Sequence, residues 1–427
     1  MRCVSPGRPG PRVTLVGGEC RDRHEHTTYR GAAVSHAPGT SASPAPPPDI
    51  QEAEDLADVV VTGGAGFVGR HLVAALARAG AKVTAVDHAP LGQDVAALPG
   101  VRYVGADLRD YGETLLALEG ADTVFHLAGN ASGNLSVENP RLDFHLNALA
   151  TSNVGNAALE LGVPRLVFLS SAIVYGTPVH TPIGESHPTG PFLPYGASKL
   201  AGEFALLSLH RTAGLPVVIG RSFVIYGPGE DPRRAGGEVS QFLRWQLNER
   251  PIPVVGDIDR KTRDFVHVHD VCRALVALAV RGADGEIYNI GSGTEVSMRA
   301  LAAAVADATG RPARLEADDR SLADSFALVA DIAKLSALGF APRVTLEAGL
   351  AALAAELGPY PELPSVRAAF RREPYARRRR LRPAVLEARI EDPREDRREA
   401  RTGEQYEAER AGQRDAHGTD GVPACSR

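Results

Sequence analysis

Tyr195 and Lys199 stand four residues apart in the segment PYGASKLAGEF, so on a helix they share one face and can interact. A phenol ionises at about pH 10 and is a poor base at neutral pH. An ammonium beside it favours the phenolate and brings it toward a working value. The pair could therefore take a proton from a hydroxyl and return it. Upstream, LSSAIVYG puts Ser171 at the end of an apolar run, where its hydroxyl could hold the substrate oxygen during the transfer. Taken alone, Tyr-x-x-x-Lys is a common surface pair on helices; its weight comes from what precedes it.

What precedes it is DVVVTGGAGFVGRHLVAALARAG, in which Gly63, Gly64, Gly66 and Gly69 give both GxxGxxG and, from Gly64, GxGxxG. Side chains at these positions would obstruct the tight turn, the approach of backbone N–H groups to a pyrophosphate, and the packing of helix on strand. Phe67 and Val68, between the last two glycines, belong to the same candidate dinucleotide contact. A glycine turn with no ligand is the plain alternative, and the strand–turn–helix setting argues against it. Asp87 ends the second apolar run, AKVTAVD, where a carboxylate would accept hydrogen bonds from ribose hydroxyls and repel a 2′-phosphate. This favours NAD over NADP, although a solvated strand-end aspartate would look the same. Asp107 and Leu108, in GADLRD, are placed to frame the adenine, and an aspartate in a turn also needs no ligand to explain it. A bound nicotinamide would add a second positive charge beside the phenol.

The elements that must position these groups are legible in the apolar pattern. Short Val/Leu/Ile runs (DVVVT, AKVTAV, TVFHLAG, PRLVFLS, PVVIGRS) alternate with amphipathic helical stretches, as in a parallel sheet covered on both faces. The fold class expected is α/β, a Rossmann-type doubly wound parallel sheet with a smaller C-terminal substrate-binding region. Four segments are expected: a disordered N-terminal extension over 1–56, an NAD-binding domain over 57–225, a mainly substrate-binding region over 226–357 and a charged tail over 358–427. The helices GGEVSQFLRWQLNER and SMRALAAAVADATG fall in the third. The first segment is rich in Pro, Gly, Ala and Ser, a composition too poor in apolar surface to offset its ordering entropy.

Composition narrows the function classes. A 44% hydrophobic content supplies a core, and a formal charge of −5 gives the body no electrostatic reason to seek nucleic acid or anionic membrane. The Arg377–Arg380 run is followed by interleaved acids, which argues against such a role there too. Cys3, Cys20, Cys272 and Cys425 are too few and scattered for a disulfide framework. No apolar leader or membrane-length run is present, so a cytoplasmic enzyme is expected.

The motifs together resemble the extended short-chain dehydrogenase/reductases, the NAD-dependent epimerase/dehydratase family, and within it most resemble the UDP-glucose 4-epimerase group. The matching stretches are TGGAGFVG, HLAGNAS, LSSAIVYG, ESHPTGPFLPYGASK, RSFVIYGPG, TRDFVHVHDV and YNIGSGTEVS, from about residue 58 to about residue 357. The resemblance implies Ser171, Tyr195 and Lys199 as catalytic residues, with the last two also near the cofactor, and Ala128 and Gly129 beneath the cofactor. It further implies Asn147 near the substrate, Arg263 on its diphosphate, Arg320 as a second phosphate contact, and a homodimer formed through two helices per subunit. As a bare sequence feature Arg263 could equally be a surface residue.

Three positions depart from the pattern: Val224 stands where relatives usually have Asn, Gly229 where many have Arg, and Ile173 where many have Thr. These leave the redox machinery intact and open the identity of the substrate. A 4,6-dehydratase would carry an Asp-Glu pair directly after the strand-end hydroxyl, where this chain has Ala172 and Ile173. The first expectation is therefore an epimerase inverting C4 of a UDP-sugar through a transient 4-keto sugar. The second is an NAD(P)H-dependent 4-ketoreductase or dehydratase-like enzyme, and a non-catalytic NAD-binding protein is a remote third. His126 reads as a packing histidine more readily than a base. His267 and His269 alternate on a strand without further ligands, so no metal is expected, and Trp245 reads as helix packing.

Overall fold

Val59 and Val61 of β1 (Asp58–Thr62) enter one core and Val60 enters another. Such two-sided burial is what an unbroken Val run requires of a central parallel strand. The computed structural model describes residues 50, 53, 55–233, 237–318 and 327–364; Arg320 and the Arg377–Arg380 run lie outside the described residues. After β1 come α1 (Phe67–Arg78), β2 (Lys82–Asp87), a short α2 (Gln93–Ala96), β3 (Val101–Gly105), α3 (Tyr111–Leu118) and β4 (Thr123–His126). Next are α4 (Gly133–Glu138), α5 (Pro140–Phe144), a π-helical turn (His145–Leu149), α6 (Ala150–Glu160) and β5 (Arg165–Ser171). A 3-10 turn (Ala172–Tyr175) leads on to α7 (Pro194–Ala213) and β6 (Val217–Ser222).

The remaining chain forms β7 (Val224–Tyr226), α8 (Glu238–Leu247), β8 (Ile252–Val255), β9 (Thr262–Arg263), β10 (Phe265–His267), α9 (Val268–Arg281) and β11 (Ile287–Ile290). It continues with β12 (Val296–Ser297), α10 (Met298–Thr309), β13 (Leu315–Asp318), β14 (Ala327–Leu328), α11 (Ala333–Ser336) and α12 (Leu346–Leu357).

Seven strands pair in parallel in the order β3–β2–β1–β4–β5–β6–β11, the doubly wound sheet expected from the sequence. Strand order reverses between β1 and β4, and the crevice beyond their carboxyl ends is where such sheets bind ligands. Residues alternate across β5 as across β1: Val167 and Leu169 join α1 and α9 in one core, while Leu166 and Phe168 join α6 and α7 in the other. Ile50 and Ala53, within the stretch read from composition as an extension, are 7% and 0% exposed and belong to the first core.

A third cluster joins α8, α10 and α12 around Phe242, Leu243, Leu301, Val305, Leu350 and Leu353, with Trp245 packed against it. Its β9 pairs with β12 and β14 rather than with the main sheet. Small strands of this kind hold loops beside the crevice without extending the core. No described helix is long and apolar enough to cross a membrane.

Candidate active site

The glycine turn after β1 is built by close approach. Gly63 has φ +72°, and a Cβ there would lie 2.7 Å from the Ala128 nitrogen in the turn after β4; a Cβ on Gly69 would lie 2.0 Å from the Gly63 carbonyl oxygen. Only residues without side chains let these two turns meet at the switch point. Gly66 caps α1 with no side-chain hydrogen bond, and no acidic residue sits in the first turn. The helix N-terminus therefore keeps donors and positive field available to an anion. At the tip of β2, the Asp87 carboxylate accepts from the backbone N–H groups of Ala65 (3.1 Å) and Ala89 (3.0 Å), which orients it and leaves lone pairs over. These features fit NAD: a cradle that a Cβ would fill, an uncapped helix end, and a held carboxylate at the ribose position.

Phe67 and Val68 open α1, beside this cradle in sequence and in space. Gly129 has φ +146°, and a Cβ there would strike the Asn147 Oδ1 at 2.4 Å, so the turn after β4 lies directly against the π-helical turn. Asp107 is engaged elsewhere: its carboxylate takes Arg109 in an ion pair at 2.5 Å, and that hydrogen bond holds it below the usual carboxylate range. Leu108 is buried, with its carbonyl accepting from Thr114 and Asn153.

Tyr195 and Lys199 occupy the first turns of α7, which starts on Pro194 at a position where no backbone N–H is needed. Ser171 ends β5 with its hydroxyl beside the Tyr195 phenol. Burial pushes the phenol above its ordinary value, the Ser171 hydroxyl opposes that, and the negative charge of Asp143 adds to it. Lys199 is 5% exposed and its Nζ donates to the Leu169 carbonyl at 3.0 Å. Burial lowers the ammonium to about 8, against the upward pull of Asp143 and Glu203. The three residues expected to act together do converge, from two elements, at the carboxyl end of the sheet.

Around them lies a polar layer that motif reading passed over. Asp143 is fully buried and accepts from Asn130 Nδ2 (2.6 Å), Asn147 Nδ2 (3.1 Å) and the Ser198 hydroxyl (2.6 Å). Asn147 also donates to Ser198 Oγ at 2.9 Å, while its own Oδ1 is buried without a partner. The π-helical turn that carries Asn147 is a feature often found at functional sites. Asp143 stands four residues before Asn147, and Ser198 three after Tyr195, so helical spacing was the available signal. Behind Lys199, Glu203 takes a bidentate Arg221 (3.0 and 2.6 Å) and the Ser170 hydroxyl (2.5 Å).

Farther along the chain, Arg263 of β9 is 7% exposed; its Nε lies 3.3 Å from Glu238 at the start of α8, and Lys261 reaches the same carboxylate at 3.6 Å. Burial raises Glu238, but Arg263 and then Lys261 outweigh it and hold the carboxyl low. Gly229 has φ +78°, and a Cβ there would come within 3.1 Å of the Arg70 guanidinium of α1. His126 is fully buried, its two nitrogens 2.7 and 2.9 Å from the hydroxyls of Thr62 and Thr151; burial lowers it to about 3. That is a packing histidine. His267 and His269 stack edge to face with ring centres 4.7 Å apart, and no candidate metal cluster occurs among the described residues.

Comparison with known proteins agrees with this geometry. The model of the NAD dependent epimerase/dehydratase family matches residues 59–291. A putative UDP-glucose 4-epimerase of Methanocaldococcus jannaschii is 34% identical over 296 residues, covering 68% of this chain and 95% of the relative. A dTDP-glucose 4,6-dehydratase of Streptomyces niveus is 32% identical over 307 residues, covering 68% and 90%. The UDP-glucose 4-epimerase of Thermus thermophilus, crystallised with NAD, superposes with a TM-score of 0.64 at 33% identity, covering 70% of this chain and 98% of that one. Epimerases and dehydratases thus match at nearly equal identity, so similarity alone does not choose between the two reactions.

Proposed function

Because this chain belongs to the NAD-dependent epimerase/dehydratase family, we propose that it is a nucleotide-sugar epimerase that inverts C4 of a UDP-sugar through a transient 4-keto sugar. The observation that carries this reading is the apolar neighbourhood of Ser171. The two residues after it, Ala172 and Ile173, form a 3-10 turn in which Ala172 is 1% exposed. They offer no carboxyl group to take a proton from a neighbouring carbon or to protonate a departing hydroxyl, as loss of water would demand. Tyr195, Ser171 and Lys199 suffice for reversible oxidation of an alcohol. Dehydratases match nearly as well in sequence, and it is this local chemistry that favours the epimerase.

In the proposed reaction Ser171 holds the sugar 4-oxygen by a hydrogen bond, and Tyr195 removes the hydroxyl proton and later returns it. Lys199 supplies the positive charge that makes the phenolate accessible. NAD, when bound, supplies hydride acceptance and return, so no net reductant is consumed. Gly63, Gly66, Phe67, Val68, Gly69, Asp87, Asp107, Leu108, Ala128 and Gly129 would hold it. Asn147 and Arg263 would contact the sugar and the diphosphate, the latter through a guanidinium fork. A cytoplasmic homodimer is part of the same reading. The exposed Phe144, Leu149 and Phe204 on α5, the π-helical turn and α7 are 50%, 40% and 60% exposed and supply an apolar face for a second copy.

The test is chromatography of products after incubating the protein with NAD and UDP-glucose, UDP-N-acetylglucosamine or UDP-glucuronate, with no added reductant. A C4 epimer without accumulated NADH is expected. Consumption of NAD(P)H only when a 4-keto sugar nucleotide is supplied would replace the epimerase with a ketoreductase.

A further inference from the structure

Two carboxylates are buried beside the Tyr195–Lys199 pair, and only one of them meets a cation. Glu203 is clamped by Arg221, whose guanidinium also lies over the Tyr175 ring at 4.7 Å. Asp143, equally buried, is held by Asn130, Asn147 and Ser198, all neutral, and among the described residues it has no ion-pair partner. Three neutral donors satisfy its oxygens. With no counter-ion in contact among the described residues, its charge acts on Tyr195 and Lys199, the two residues that flank Ser198 on α7. Ser198 makes the physical link: it sits between those two residues on α7, and its hydroxyl donates to Asp143 Oδ2.

We propose that Asp143 is a positioning residue for the Tyr195–Lys199 pair: through Ser198 it anchors the start of α7, and its carboxylate brings to that pair a buried negative charge with no cation in contact. The proposal rests on the catalytic assignment made above. A nearby anion raises the affinity of a phenolate and of an amine for protons alike, so removing it lowers both. Other groups face the pair as well: Ser171 of β5 lies beside the phenol, His126 of β4 and Glu203 of α7 face the ammonium, and Arg221 of β6 lies behind Glu203. His126 is kept neutral by burial and Glu203 is paired. Asp143 is therefore the charge whose loss carries a distinct signature. Its benefit is to Lys199, which burial has already brought down to about 8 and which must stay charged to assist the phenolate.

The experiment titrates Tyr195 in the free protein by ultraviolet phenolate absorbance, taken as the difference between the parent and Tyr195→Phe. In Asp143→Asn the phenol is expected to titrate lower by about one pH unit. In Ser198→Ala, which cuts the tether and keeps the charge, it should stay near the parent value. A folded Asp143→Asn protein that titrates like the parent, or a Ser198→Ala protein that shifts as far, overturns the proposal. If Asp143→Asn does not fold, the same titration is made in Asp143→Ser, which also removes the charge: the same downward shift of the phenol is expected, and an unmoved phenol overturns the proposal. None of these readouts needs a substrate, so they stand if the epimerase reading fails. Failure of the catalytic assignment shows separately, as turnover retained in Tyr195→Phe.

Discussion

The glycine turn between β1 and α1 and the region around Arg263 both face the ligand crevice in the proposed reading, but they are held in place by different means. The first is fixed by main-chain contacts: a Cβ on Gly63 or Gly69 would meet backbone within 3 Å, and no rearrangement of side chains relieves that. The second is held by side chains, with Arg263 and Lys261 gathered on the Glu238 carboxylate. It also contains one of the departures from the family pattern, Val224, whose backbone N–H donates to the Asp264 carbonyl. Backbone-built sites tolerate little change and keep one ligand, whereas side-chain-built sites can be respecified residue by residue.

If the comparison holds, damage to the chemistry and to the backbone-built half should exceed damage to the other half. The largest effect expected is for Tyr195→Phe, which should lower turnover about a thousand-fold, measured by product chromatography; near-normal turnover would remove Tyr195 from the mechanism. Next is Gly69→Val, whose Cβ cannot coexist with the Gly63 carbonyl. It should abolish NAD binding in calorimetry, and retained binding would show that the turn can shift.

Acid should act through three buried histidines, His126 at the end of β4 and His267 and His269 where β10 meets α9. His126 is lowered by burial to about 3, and His267 and His269 by burial to about 4, from 6.5. The unfolded chain therefore binds more protons than the folded one between about pH 6.5 and 3. The stability these groups contribute is fully present above 6.5 and is lost as pH falls through that window. Urea unfolding at successive pH values should show the midpoint falling there, and a flat profile would contradict their neutral burial. The smallest effect is expected from Arg263→Ala. It should raise KM for the nucleotide sugar by about ten- to a hundred-fold through loss of charge-assisted hydrogen bonds, with NAD affinity unchanged. A loss confined to NAD affinity would reverse the assignment of the two halves.

The features legible in the sequence are those with a short period. The unbroken apolar runs in DVVVT and PRLVFLS gave the two-faced strands, the glycine spacing gave the turn, and the four-residue step from Tyr195 to Lys199 gave their shared helix face. Family resemblance located Asn147 and Arg263 along the chain but not what they touch. Arg263 lies against Glu238, and Asn147 belongs to a cluster around Asp143. Asp107 was read as a residue framing the adenine, and the sequence did not show the exposed ion pair it makes with Arg109.

By itself, then, the sequence determined the doubly wound sheet, the glycine turn and the shared helix face of Tyr195 and Lys199, because each is encoded by neighbours within a turn or a strand and by the conformations those residues allow. The tertiary structure alone decided which buried carboxylate is neutralised. Asp143 meets Ser198 across 55 residues and Glu203 meets Arg221 across 18. Both aspartate and glutamate look alike along a chain, and only the packing of α5, α7 and β6 gives one of them a guanidinium and leaves the other facing Tyr195 and Lys199.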